Sequence, residues 1–245
     1  MKLSTEQNEK IEISVVVPVY NEEENLPVLI PKLTEVLERL GCCFEIIFVD
    51  DGSSDGSQGI LRERASQYPS LRVLRLRKNR GLSTALVAGM REARGEKIVT
   101  LDSDLQNDPA DIPKLLEYLD RYDMATGWRH KREDSWLKKI SSKIGNTVRN
   151  WLSGENIRDS ACTLRAFKKE CIKEIPVFNG MHRFLSTLVK MNGYRIIEVP
   201  VSHHPRKYGK SKYNIRNRMV RSFIDLLAVR WMKRRTIRYD IEEKV

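Results

Sequence analysis

With 245 residues, 40% of them hydrophobic and 31% charged, the chain can build one α/β domain with a real core, or at most two small ones, and is too apolar to be disordered. Its net charge of +11 is unevenly split: Met1–Ala125 carries 16 basic against 22 acidic residues, a net of −6, and Thr126–Val245 carries 28 against 11, a net of +17. That division suits a cation site in one half and an anion-binding surface in the other. Cys42, Cys43, Cys162 and Cys171 lack metal-ligand spacing and read as reduced thiols of a cytosolic protein. Met1–Lys10 has no signal-peptide core, and no stretch reaches the ~18 apolar residues of a membrane span, so any membrane contact is expected to be peripheral.

In chain order, Ile13–Val19 (ISVVVPV) reads as a buried strand. Asn21 and the acidic run Glu22–Glu24 open a helix over Leu26–Leu40, with Gly41 as its stop. Phe44–Val49 is a second strand; Asp50–Gly56 (DDGSSDG) is a turn that opens a helix over Ser57–Tyr68. Strands follow at Leu71–Leu76 and Lys97–Leu101, with a helix from Gly81 to Ala93 between them. Pro109–Leu119 is another helix and Met124–Gly127 a short strand. This alternation predicts a Rossmann-like, mostly parallel sheet with helices on both faces. The second half is less regular: a basic amphipathic helix over Trp136–Trp151, a short strand in Ser160–Phe167, a helix over Phe184–Met191, a strand over Tyr194–Val201, and a basic loop His203–Tyr213. A long amphipathic helix over Ile215–Met232 follows.

Ligands of such sheets bind outside the strand C-terminal ends, and three polar loops fall on that edge. Asp102-Ser103-Asp104-Leu105-Gln106 offers two carboxylates and an amide, hard oxygens suited to Mg²⁺ or Mn²⁺. Asp50 and Asp51 offer acceptors for a base or a ribose, and Pro18, Tyr20 and Glu22 an aromatic ring and a further carboxylate. Each loop alone also fits a turn or a helix cap; their convergence favours a site. No glycine-rich phosphate loop of the NTPase or dinucleotide type occurs, so phosphate charge must be met by a metal, arginine and lysine.

The pieces VVVPVYNEEENL, VDDGSSDGS, NRGLSTALVAGMREARGE, LDSDLQNDP, GWR and RKYGKSK, spread over Ile13–Tyr213, resemble family 2 glycosyltransferases of GT-A fold, and among them the dolichyl-phosphate mannosyltransferase-like group. The resemblance implies a catalytic domain over residues 11–213 and a basic helix and tail over 214–245. It implies that Pro18, Tyr20, Glu22 and Asp50 hold the nucleoside, with Asp51 beside them. Asp102 and Ser103 would lie by the sugar phosphate, Asp104 and Gln106 would bind the cation, and Arg129 would lie on the acceptor side. Arg206 and Lys212 would meet the diphosphate or the incoming phosphate, with Ser211 between them. Members of this group generally invert the anomeric carbon. They use donors such as GDP-mannose or UDP-glucose, and a polyprenyl monophosphate is the acceptor.

A phosphate monoester is already largely ionised near neutrality, its second pKa being about 6, so it attacks without a general base. Were the acceptor a saccharide or protein hydroxyl instead, Asp159 is the candidate base. From His203 to Arg238 the chain carries 12 basic residues against one acid, Asp225, and Met219, Val220, Phe223, Leu226, Leu227 and Trp231 fit one helix face. That pattern fits an anchor lying on the cytoplasmic face of a membrane, or packing on the domain itself, on a membrane partner protein or on a second copy of the chain. Nucleic-acid binding through the basic half lacks a zinc, helix-turn-helix or RNA-recognition signature, and an inactive scaffold would not need the intact Asp102–Asp104–Gln106 set.

Overall fold

The computed structural model describes residues 10–129, 157–208 and 215–237, the last segment with side chains from 222 onward. The predicted helix over Trp136–Trp151 and the candidates Ser211 and Lys212 lie outside the described residues. Seven strands form one sheet: β1 (Ile13–Val19), β2 (Phe44–Asp50), β3 (Leu71–Arg75), β4 (Lys97–Thr100), β5 (Met124–Arg129), β6 (Arg165–Lys168) and β7 (Ile196–Val201), in the order β3-β2-β1-β4-β6-β5-β7. Among the described residues the α-helices are α1 (Leu26–Glu38), α2 (Ser57–Gln67), α3 (Leu82–Glu92), α4 (Ile112–Glu117), α5 (Leu185–Met191) and α6 (Ile215–Arg235).

Every residue of β1 is buried, as both faces of a covered parallel strand must be. Alternation along it divides the core in two. Val15, Val17 and Val19 pack with Leu26, Leu29 and Leu33 of α1, Leu61 of α2 and Leu115 of α4. Val16 joins the opposite layer with Ala85 and Met90 of α3, Leu185 and Leu188 of α5, and Leu226 and Val229 of α6. Gly89 lets α3 approach closely, since a Cβ there would lie 2.4 Å from Val16 Cγ1.

β1 to β4 are mutually parallel. β6 then runs antiparallel to both β4 and β5, and β5 pairs parallel with β7. Its reversed direction brings the entry to β6, near Thr163, to the same edge as the exits of β4, β5 and β7. The strand expected within Ser160–Phe167 is ordered only from Arg165, because Asp159 accepts from the Ala161 N–H and ties residues 159–162 into a turn. The helix expected over Pro109–Leu119 is a short α-helix between two 3₁₀ turns, with prolines at Pro109 and Pro113 and the Asp108 carboxylate capping Ala110.

Candidate active site

Side-chain staples align the first three loops. Asn21, at φ 53°, takes the left-handed conformation its short side chain tolerates. Its N–H donates to Ser53 Oγ at 2.9 Å and its Oδ1 accepts from the Ser54 N–H at 2.8 Å. The Glu22 N–H donates to Ser57 Oγ at 2.9 Å, and Asn25 Nδ2 donates to Glu22 Oε2 at 2.5 Å. Asp51 binds the next loop: its two carboxylate oxygens accept from the N–H groups of Arg80 and Gly81 at 2.7 and 2.8 Å. Burial raises its pKa against those two donors, and the charge of Asp50 adds to the rise. Gly52, at φ 72°, makes this stacking possible, because a Cβ would lie 2.8 Å from the backbone of Asn79 and Lys78.

Beyond β4, Ser103 Oγ donates to the Pro18 carbonyl at 2.9 Å, and Leu105 turns the chain with φ 60°. Asp102 Oδ2 accepts from Thr163 Oγ1 at 2.6 Å, and Asp104 Oδ2 accepts from Arg206 at 2.7 Å. Burial and then the neighbouring Asp104 charge push the Asp102 pKa up to about 6, although Thr163, Arg165 and Arg129 pull it down. The segment after β7 is laid over this loop. Asn107 bridges His203, the His204 N–H donates to the Gln106 carbonyl at 2.8 Å, and the His204 ring meets Asp108 at 3.2 Å. Arg206 reaches Asp104 along that path.

These elements enclose a cleft of about 240 Å³. Of the residues singled out in the sequence, Pro18, Tyr20, Glu22, Asp51, Asp102, Ser103, Asp104 and Arg206 line it. Asp50 does not. It ends β2 paired with Val19 and Arg75, fully buried, and its Oδ1 accepts from the Ser53 N–H at 2.8 Å. Its carboxylate is engaged with the turn below it, and Asp51, the next residue, lines the cleft instead. Gln106 is half-buried and is not a lining residue; its N–H donates to Asp104 Oδ1 at 3.1 Å. Arg129 is held away from the lining by Asp159, with Nε and a terminal nitrogen at 2.6 and 2.8 Å from the two carboxylate oxygens. Sequence reasoning missed Asn79, Gly81, Leu82 and Ala85, which also line the cleft; the Asn-Arg-Gly ahead of a helix was the available signal. It also missed Arg165, which is 1% exposed and donates to the carbonyls of His182 and Ser160. An arginine in a short run of apolar strand residues was the mark of that buried charge.

The model of glycosyl transferase family 2 matches residues 14–176, spanning the strand-end loops after β1, β2 and β4. The chain belongs to glycosyl transferase family 2. Its similarity extends to undecaprenyl-phosphate 4-deoxy-4-formamido-L-arabinose transferase of Edwardsiella ictaluri, 39% identical over 206 residues, which are 83% of this chain and 63% of the relative. The chain thus spans less than two thirds of that relative's length. The fold of this family member is shared with glucosyl-3-phosphoglycerate synthase from Mycobacterium tuberculosis in complex with Mn²⁺ and UDP-glucose, with TM-score 0.68, 19% identity, and 90% of this chain and 79% of the other covered. It is also shared with a mannosyltransferase from Pyrobaculum calidifontis in complex with GDP-Man and Mn²⁺, with TM-score 0.62, 22% identity, and 95% and 67% covered. The GT-A sheet expected from the sequence is therefore present.

Proposed function

We propose that this family 2 member is an inverting, divalent-cation-dependent glycosyltransferase that moves a sugar, mannose or glucose by the resemblance, from a nucleoside diphosphate to a polyprenyl phosphate. The single observation that carries the reading is the junction of opposite charge in one cleft: Asp102 and Asp104 on one side, Arg206 on the other, 2.7 Å from Asp104. A sugar diphosphate with its cation, facing an anionic acceptor, needs both signs in one cleft.

The donor set fits Mg²⁺ or Mn²⁺. Asp104 Oδ2 already faces a cation, the guanidinium of Arg206. Among the described residues no three His, Cys, Asp or Glu side chains form a cage, which suits a cation completed by diphosphate oxygens and water. Asp104 would hold it, with Gln106 as the amide partner. When bound, the cation neutralises the leaving diphosphate. Pro18 and Tyr20 offer the nucleoside an apolar edge and a ring. Glu22 and Asp51 offer carboxylate acceptors, with Asp50 bracing the turn beneath. Ser103 fixes the Asp102 loop to β1. Arg206, and Lys212 and Ser211 beyond the described residues, are assigned to the incoming phosphate.

The carboxylates also argue for an acceptor that brings its own charge. Asp159, the candidate base for a hydroxyl acceptor, accepts from three donors of Arg129 and from Ala161. It is a brace between β5 and the entry to β6, which leaves Arg129 near the acceptor side as an oriented charge. A phosphate monoester needs no such base; it must be held in line, and the leaving group neutralised. The E. ictaluri relative is named for a polyprenyl-phosphate acceptor, which supports this choice over a saccharide or protein hydroxyl.

A lipid-borne acceptor requires a membrane surface, which we assign to the cytoplasmic face, with α6 as the peripheral contact; a homo-oligomer is the competing use of that helix. The experiment is incubation of labelled GDP-mannose or UDP-glucose with polyprenyl phosphate and Mn²⁺. Cation-dependent label in the organic phase supports the assignment, and label confined to the aqueous phase with every donor removes it.

A further inference from the structure

The structure separates the two faces of α6. At about 100° per residue, Ser222, Asp225, Leu226, Val229 and Met232 share one side, and Phe223, Ile224, Leu227 and Trp231 share the opposite side. The first side is against the body. Leu226 and Val229 are 5% and 0% exposed, Met232 packs on the same core layer, and Arg183 donates to Ser222 and, at 2.8 Å, to Asp225 Oδ2. The second side is in solvent: Phe223 is 51% exposed, Ile224 59%, Leu227 45% and Trp231 63%. This corrects the single apolar face expected from the sequence, since Leu226 lies opposite Phe223, Leu227 and Trp231.

We propose that this outward face of α6 is a docking surface for an anionic lipid bilayer. Large apolar side chains and a tryptophan on the unburied side of a helix have no partner within the described fold, and a surface of this kind sits at a membrane interface. Charge selects the partner. Arg234 and Arg235 follow Trp231 by three and four residues, on the same side of the helix, and both are exposed. The helix's one acid, Asp225, is turned inward onto Arg183. An outward face with apolar side chains, guanidinium groups and no carboxylate complements acidic headgroups.

The cleft is tied to this face at two places. Ile215 follows Arg206 by nine residues, so the helix begins within about 30 Å of the Arg206 backbone even if the connection is fully extended. The turn that carries Arg183 also carries His182, whose Nδ1 is 2.7 Å from Ser83 Oγ at the start of α3, next to the cleft residues Leu82 and Ala85. A docked α6 therefore sets the height and orientation of the cleft over the bilayer. The inference deepens the lipid-acceptor reading by naming the surface that presents the cleft to its substrate.

The test is co-sedimentation of the full chain with vesicles of phosphatidylcholine alone and of phosphatidylcholine with phosphatidylglycerol. Wild type should pellet with the acidic vesicles and release in high salt. The double variant Phe223→Ser/Trp231→Ser should lose about tenfold or more in partitioning, and Arg234→Gln/Arg235→Gln should lose its preference for acidic over neutral vesicles. Equal pelleting of all three proteins would overturn the proposal. So would a wild-type dimer in sedimentation velocity without lipid that the serine variant converts to monomer, because a second copy would then be the occupant. Transfer to a short, water-soluble isoprenyl phosphate should be unchanged in both variants. Loss of lipid binding with that transfer intact isolates the surface; binding without transfer to any isoprenyl phosphate counts against the acceptor assignment and leaves the surface standing.

Discussion

The parallel half of the sheet and the mixed half do different work at the same edge. β1 to β4 all point their C-terminal ends one way, so their loops deliver Glu22, Asp51, Asp102 and Asp104 together. The mixed half reaches that edge with the entry to β6 and the exits of β5 and β7. From these it supplies Thr163 to Asp102 and Arg206 to Asp104, while Arg129 is paired within its own half, with Asp159. The acidic half carries the site, and the basic half orients and neutralises it. The division of charge along the sequence is thus a division of labour across one cleft.

The largest effect should come from removing one side of that pairing. Asp104→Asn keeps the size of the side chain and removes its charge, so transfer should fall about 10³-fold, with cation-dependent nucleotide binding lost in calorimetry. Arg206→Ala should lower transfer about 10²-fold and leave nucleotide–cation affinity within a few-fold. Equal loss of binding in both variants would break the distinction between the halves. A smaller effect is expected at Gly52, where φ is 72° and the backbone of Asn79 and Lys78 leaves no room for a Cβ. Gly52→Ala should cost about 1–3 kcal/mol in denaturant unfolding and raise the donor KM, because the 78–81 loop must lift off Asp51.

Much of this was legible from the residues. Alternating patterns located β1 to β4 and their helices because covered parallel strands are continuously apolar and short. The acidic loops were legible because strand ends in such sheets share an edge. That Asp51 lines the cleft while Asp50 turns to the Ser53 N–H was not, since it depends on how the turn after β2 folds back. Nor was the insertion of β6 between β4 and β5: its four residues carry no register signal, and the pairing is decided by contacts across the sheet. The wall formed by Asn79 to Ala85 depends on Gly52 and Asp51 docking a distant loop, a tertiary fact. On α6 the sequence showed which residues are apolar, and packing alone decided that Leu226 and Val229 go inward while Phe223 and Trp231 stay out.

The smallest effect concerns Asp102, where the acidic half carries a cost that the basic half only partly relieves. Burial and the Asp104 charge raise its pKa from 3.8 to about 6. Between about pH 4 and 6 the folded protein therefore holds a proton that the unfolded chain has lost. Stability from this group is present at the acidic end of the window and declines as pH rises through it. Glu45, Asp108 and Asp123 run the other way: burial pushes them up, but hydrogen bonds and neighbouring basic groups hold them below the usual carboxylate range, so their contribution is lost as pH falls. A raw pH profile mixes the two, and the difference between variants separates them. Asp102→Asn keeps an oxygen for Thr163 and removes the charge. In ligand-free protein near pH 7.5 it should be more stable than wild type in urea unfolding, with the gain vanishing near pH 4, while transfer is reduced. A pH-independent difference in urea unfolding would show that Thr163 and the charges of Arg165 and Arg129 already compensate Asp102 fully, and that the support from the second half is complete before any ligand arrives.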